Sequence, residues 1–203
     1  MFVICDVEST GLIVEKDRIV SLSASYTLGN NRVEFNELVN PGVNIPADAT
    51  RIHGITNNDV KDKDNFAAVG ERFFRWVYTH AGYEPILCAY NGLGYDFRII
   101  FNELKRHQVK MPPFGALYSY DPLRQARNIL ADLPSKRQAA VFEHLFGCAP
   151  TAQHTSMGDV IALERIVEHV KFASTSVSYI KPLPLLTPRV PFAEQGGARS
   201  CPR

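Results

Sequence analysis

The opening stretch, FVICDVEST, constrains the fold more than any other part of the chain. Phe2, Val3, Ile4, Cys5 and Val7 form an apolar run of strand-forming residues without polar alternation, which reads as a central strand covered on both faces. Such a strand has no structural reason to end in acid, yet Asp6 and Glu8 are placed there. Side chains alternate across a strand, so the two carboxylates project from the same face. Neighbouring carboxylates at the edge of a core repel, and each resists ionising unless a cation or hydrogen-bond donors compensate.

The remaining periodicities supply partners for that strand. Residues 17–27 (DRIVSLSASYT) place Ile19, Leu22 and Tyr26 among small polar residues, and residues 32–40 (RVEFNELVN) alternate again. With Gly29-Asn30-Asn31 between them as a turn, strands 1 to 3 read as an antiparallel meander. Residues 47–59 read as a short helical turn and a loop around Gly54. Residues 65–78 carry Phe66, Val69, Phe73, Phe74 and Val77 at helical spacing. Residues 85–89 (PILCA) form a short buried strand, residues 97–109 a helix with Ile100, Phe101 and Leu104 inward, and residues 116–120 a fifth strand. Helices are expected over 122–130, 135–146 and 156–172. The sum is an α/β fold, a mixed five-stranded sheet with antiparallel strands 1–3 and parallel strands 4–5, flanked by helices. It occupies residues 1–172. Residues 173–203, with Pro182, Pro184, Pro188, Pro191, Pro202 and Gly196-Gly197, are expected to form a flexible Pro-rich tail.

Composition narrows the function classes. At 203 residues and 45% hydrophobic composition the chain can bury a proper core. Lys and Arg total 22 against 21 Asp and Glu, so the net charge of +1 marks neither a nucleic-acid clamp nor an acidic surface, and any nucleic-acid site must be local. Cys5, Cys88, Cys148 and Cys201 are widely spaced with no secretory leader before them. They read as reduced thiols of a cytoplasmic or nuclear protein. No apolar stretch approaches the roughly 20 residues needed to cross a bilayer, so no membrane partner is expected.

Two further acids stand where a fold alone does not need them. Asp96 follows the strand PILCA through Tyr90-Asn91-Gly92-Leu93-Gly94-Tyr95, at a helix start beyond a strand's C-terminal end, the edge where α/β sheets form sites. Helix starts favour acids in any case. Asp159, however, is in register with Leu163, Ile166 and Val170, on the apolar face turned toward the sheet. His154 precedes Thr155-Ser156, a helix-capping pair, and stands on the loop before that helix, free to reach over the site. Converging carboxylates with no basic neighbour make a hard oxygen-donor site, suited to Mg²⁺ or Mn²⁺ rather than zinc.

These segments resemble a known family. DVESTGL is similar to the first motif (D-x-E-x-T-G) of the DEDD, DnaQ-like exonucleases, and ATRIHGITNNDV to their A-x-x-I-H-G-I-T segment. AYNGLGYDFRIIFNEL resembles the second motif, and HTSMGDVIAL the third, with the histidine five positions before the aspartate that defines the DEDDh subgroup. Within it, N-G-x-x-Y-D-F and LFGCAPTAQHTSMGDVIAL look most like the animal three-prime repair exonucleases. The resemblance implies a ribonuclease-H-like fold and 3′-to-5′ phosphodiester hydrolysis at DNA ends, single-stranded or frayed, releasing nucleoside 5′-monophosphates. By that resemblance Asp6, Glu8, Asp96 and Asp159 would hold two Mg²⁺ or Mn²⁺ ions, with Asp6 between them, and His154 would act as general base. Ser9, Thr10, Gly11 and Leu12, Ile52 and His53, and Asn91 and Tyr95 match positions that bind the nucleic-acid end. Gly11 would leave room for the nucleotide.

Tyr90 stands where many relatives have histidine and Ser156 where alanine is common. Neither is a ligand, so tuning rather than loss of activity is expected. The nearest alternative is the same chemistry on RNA, which these motifs scarcely separate because the discriminating contact is to the 2′-hydroxyl. A non-catalytic nucleic-acid-binding module would have lost a ligand, and all four acids and the histidine are present. Proofreading in a polymerase complex would need a partner-binding extension, with Leu183, Leu185 and Leu186 as its anchors. Some relatives form homodimers through the edge of strand 3; here Arg32, Glu34, Asn36 and Glu37 disfavour a sticky edge while leaving a polar dimer open.

Overall fold

The computed structural model describes residues 2–29, 31–174 and 176–183. The described residues form six strands, β1 (Phe2–Ser9), β2 (Ile19–Leu28), β3 (Asn31–Leu38), β4 (Ile86–Cys88), β5 (Tyr118–Tyr120) and β6 (Lys181–Pro182), in one sheet of order β3-β2-β1-β4-β5-β6. β1 is interior, antiparallel to β2 and parallel to β4, which is parallel to β5. The helices are α1 (Ala47–His53), α2 (Asn57–Val60), α3 (Phe66–Ala81), α4 (Asp96–His107), α5 (Pro122–Ile129), α6 (Gln138–Phe146), α7 (Ser156–Glu168) and α8 (Val170–Ala173). No helix among the described residues is long and apolar enough to cross a membrane.

The alternation of β1 divides the interior. Val3, Cys5 and Val7 join one core with Phe73 and Phe74 of α3 and Phe97 and Ile100 of α4, whereas Ile4 joins a second with Val160, Leu163 and Ile166 of α7. Truncating a fully buried ring such as Phe73 or Phe97 costs about 3–5 kcal/mol. Both faces of β1 are therefore covered, as its apolar run requires, and Asp6 and Glu8 share the Ile4 face, toward α7.

Three expectations are corrected. The sheet has six strands rather than five: Lys181 and Pro182 pair antiparallel with Ser119 and Tyr118 of β5. Proline is tolerated there because β6 is an edge strand. Leu183 is buried in the first core and its amide bonds Leu117 O, so it is no free partner anchor. Leu185, Leu186, Cys201 and the rest of the expected tail lie outside the described residues. Finally, the helix expected over 156–172 breaks at His169 (φ −62°, ψ 136°), whose Nδ1 accepts from the Lys171 amide. That break turns Val170 out to solvent instead of along the Asp159 face.

Candidate active site

The site exists because two strands end at different heights. β4 pairs with β1 only as far as Cys88 against Ile4, while β1 continues to Ser9. The backbone edge of β1 beyond Ile4 is thus left to the segment after β4. Asp96, the first residue of α4, fills it: the carboxyl is buried and accepts hydrogen bonds from the backbone of Val7 and from its own amide. From the other direction α7 brings Asp159 over the face that carries Asp6 and Glu8. Asp6, Glu8 and Asp159 each offer a carboxylate oxygen, and these three atoms lie within 4.8 Å of one another. Asp96 is not part of this tightest trio, but burial and its charge are the two leading causes that hold the Asp6 carboxyl well above its ordinary range.

Burial, reinforced by Asp159 and Asp96, pushes Glu8 to about 8. Burial likewise takes Asp96 to about 7, against its two backbone hydrogen bonds and with Asp121 and Asp159 adding to the rise. Asp159 is raised by burial, partly offset by His154. None of the four makes an ion pair among the described residues. An all-carboxylate donor set with raised pKa values fits hard divalent cations, which would restore the ionised state.

His154 stands on the loop before α7, as its sequence position implied. Its backbone is left-handed (φ 63°), as is that of Ala152 (φ 53°). Its amide donates to Asp159 Oδ2 at 3.2 Å while the side chain faces solvent. Thr155 caps α7 by accepting from the Gly158 amide and donates to Ala152 O at 2.8 Å. The loop presses so closely that a Cβ on Gly158 would fall 2.0 Å from Ala152 O. On the opposite side, Gln138 Nε2 of α6 donates to Asp159 O at 2.7 Å.

Beside the carboxylates lies a cavity of about 300 Å³ lined by Glu8, Ser9, Thr10, Gly11, Leu12, Ile52, His53 and Tyr95, with Asp48 at its rim. Leu12 and Ile52 are 86% and 62% exposed, an unusual placement for large apolar side chains flanking one pocket. The other positions are committed to building the wall. Tyr95 donates to Gly11 O at 2.6 Å and contacts Ser9 Oγ, so it clamps the turn that follows β1. Thr10 Oγ1 donates to Asp17 Oδ1 and accepts from the Arg18 amide, both at 3.0 Å. The space beside Gly11 is filled by the Asp17 carboxylate, 2.6 Å from an ideal Cβ, so this glycine makes room for Asp17. His53 is buried; its Nδ1 accepts from the Ile55 amide, and burial lowers its pKa against the opposing effect of the Ser9 backbone. Asn91 is not among the lining residues: it sits in a left-handed turn (φ 60°), its amide on Asp121.

Asp121 and Asp17 were not singled out from sequence. Asp121 ends β5, caps α5 through the Leu123 amide and accepts from Asn91 and Leu93, fixing the loop that delivers Asp96. The Asp-Pro pair at positions 121 and 122 was a readable helix-start signal. Asp17 gave none. A larger concavity of about 420 Å³, lined by Glu37, Asp64 and Arg72, lies away from the carboxylates, and its charges pair with one another.

Comparison with known proteins agrees with this geometry. Residues 3–167 match the RNase T family, described as Exonuclease. The chain is 27% identical over 175 residues to exonuclease DPD1, chloroplastic/mitochondrial, of Arabidopsis thaliana, covering 82% of this chain and 54% of that protein. It is 42% identical over 80 residues to a DNA polymerase III subunit epsilon-like protein of Rhodobacter capsulatus, covering 37% of this chain and 11% of that one. The chain thus spans about half of the first relative and about a tenth of the second. In fold it is similar to exonuclease I (TM-score 0.68, 22% identity, 85% of this chain and 42% of that one). It is also similar to the E. coli enzyme in complex with a dT13 oligonucleotide (TM-score 0.66, 21% identity, 83% and 41%).

Proposed function

The chain belongs to the RNase T exonuclease family, and from that premise we propose that it removes nucleotides from the 3′ end of DNA by metal-dependent hydrolysis. The observation that carries this reading is the group of part-buried carboxylates that make no ion pair among the described residues, set beside a pocket walled by exposed Leu12 and Ile52. Single-stranded DNA is the favoured substrate; E. coli exonuclease I, similar in fold, is known in complex with dT13 and dA16 oligonucleotides.

Asp6, Glu8, Asp96 and Asp159 would hold two divalent cations, Mg²⁺ or Mn²⁺. Bound there, the ions would neutralise the acids and stabilise charge on the attacking and leaving oxygens of an in-line displacement. Leu12 and Ile52 wedge and cover the terminal bases, contacts that tolerate any base sequence. Tyr95, Thr10 and Asp17 hold the turn over which the terminal sugar passes. His53, packed under Ser9, supports the same turn from below. His154 is the general base: its loop position leaves the ring free to reach the attacking water once the nucleic-acid end fills the pocket.

The test is degradation of matched DNA and RNA oligonucleotides labelled at the 5′ end, with Mg²⁺ or Mn²⁺, with EDTA, and with Asp6→Ala protein. A metal-dependent ladder shortening from the 3′ end on DNA is expected. A stronger ladder on RNA would transfer the activity to RNA trimming, and no ladder on either would overturn it. His154→Ala should bind DNA normally and cleave it about 10²–10⁴-fold more slowly; an unchanged rate would remove the histidine from the mechanism.

A further inference from the structure

One face of β2 carries Ser21, Ser23 and Ser25, standing opposite Glu8, Asp6 and Ile4 of β1 respectively. Opposed residues of an antiparallel pair share a face, so these serines point to the same side of the sheet as the two carboxylates. The first residue of α7 is also a serine. Ser156 Oγ lies 2.7 Å from Ser21 Oγ and 2.6 Å from Ser23 Oγ, bridging segments more than 130 residues apart. Ser23 in turn donates to Asn36 Oδ1 of β3 at 2.9 Å.

Proton counting fixes the direction of this chain. A hydroxyl has one proton to donate. Ser23 spends its proton on Asn36, so it must accept from Ser156. Ser156 then has none left for Ser21 and must accept from it. The order is Ser21 to Ser156 to Ser23 to Asn36, and every proton finds an acceptor. Ser21, Ser23 and Ser156 are all at most 4% exposed, so water cannot replace a lost link.

Alanine would satisfy the first turn of a helix as well as serine does, and an apolar contact here would carry no desolvation cost. What the hydroxyl adds is direction: it ties the start of α7 to one place on β2. Asp159 is three residues further on and His154 two residues back, while the partners of Ser21 and Ser23 across the sheet are Glu8 and Asp6. The chain therefore spans the elements that hold the converging carboxylates and sets the distance between them.

We propose that Ser156 is a positioning residue whose hydroxyl locks the N-terminus of α7 onto β2 and thereby sets the affinity of the Asp6, Glu8 and Asp159 cluster for a divalent cation. This rests on the metal-dependent reading above.

The experiment measures Mn²⁺ binding to the full chain by calorimetry, without substrate, alongside thermal melting in EDTA. Ser156→Ala, Ser23→Ala and the double variant are compared with wild type. Removing groups that orient metal ligands costs 10–100-fold in affinity when they touch the ligand; one step further removed, about a tenfold loss is expected for Ser156→Ala. Ser23→Ala should lose a similar amount, and the double variant little more, because both break one chain. Metal affinity within twofold of wild type, with or without a lower melting temperature in EDTA, would reduce the hydroxyl to packing and overturn the proposal. Strictly additive losses would also overturn it. Wild-type protein that binds no Mn²⁺ would instead overturn the metal-dependent reading itself.

Discussion

Helix α4 carries a buried carboxylate at each end, Asp96 at its first residue and Glu103 near its last turn, and their surroundings are opposite in charge. Glu103, 1% exposed, receives Arg18 Nε at 2.7 Å and Arg106. Asp96 has Asp121, Asp159 and Asp6 as its charged neighbours and makes no ion pair among the described residues. A buried charge that serves only the fold is matched by groups the fold supplies. Where the fold gathers like charges and supplies no match, the acids hold their protons until a cation takes their place. Glu103 also shows what a matched acid is for. Through Arg18, and beside Asn102 Nδ2 on Val14 O and Arg106 on Glu15 O, it pins residues 10–18, the loop that walls the pocket, along α4.

The largest effect that would sharpen this contrast is on turnover. Asp6→Ala should lower hydrolysis at least about 10³-fold, the equivalent of several kcal/mol of charge stabilisation in the transition state. In EDTA the same variant should unfold in urea at or above the wild-type midpoint, since it relieves repulsion rather than breaking a pair. A midpoint well below wild type would show that Asp6 is matched in the metal-free protein, and the contrast with Glu103 would fail.

Next in size is the matched acid. Glu103→Ala leaves Arg18 and Arg106 without their shared carboxylate, and removing one partner of a buried pair costs about 3–5 kcal/mol. Urea unfolding reads that loss directly. Cleavage per folded molecule should keep its kcat, with any change appearing in KM through the loosened loop. A stability loss below about 1 kcal/mol would show that Glu103 behaves as a surface acid.

How much of this was legible in sequence follows the range of the interactions. Asp6 and Glu8 could be placed from strand alternation alone, and Asp159 from its spacing to Leu163 and Ile166, because both periodicities are local. Asp96 followed from its position after a buried strand. The packing of Asp17 against Gly11 was not legible, because Asp17 reaches back around a loop whose path no periodicity announces. The end of α7 at His169 was missed since the apolar pattern runs on through Val170. β6 was missed because two residues, one of them proline, carry no strand signal; only the open edge of β5 explains them. Ser156 reads as a departure that tunes activity, and its partners on β2 appear only once the sheet and α7 are packed together. Glu103 reads in sequence like any helical acid, and what separates it from Asp96 is the set of charges each meets after folding.

The smallest effect separates the two kinds of acid by titration. Glu8 at about 8 and Asp96 at about 7 both lie above the ordinary carboxylate range, chiefly through burial. In the metal-free folded protein these groups hold protons that the unfolded chain has already released above about pH 4.5. Stability from this source is therefore fully present below that pH and is lost as pH rises through about 7 to 8. The acids share their repulsion and titrate as a unit, so the loss is less than their separate shifts would add to. Thermal melts in EDTA from pH 5 to 8.5 should show that decline, and Glu8→Gln should flatten it while leaving the Glu103 pairs intact. Saturating Mn²⁺ should reverse the slope, because a cation binds the ionised carboxylates and competes with their protons. A metal-free melting temperature that is level or rises over that range would mean that water already balances the cluster, and the distinction between the two ends of α4 would reduce to burial alone.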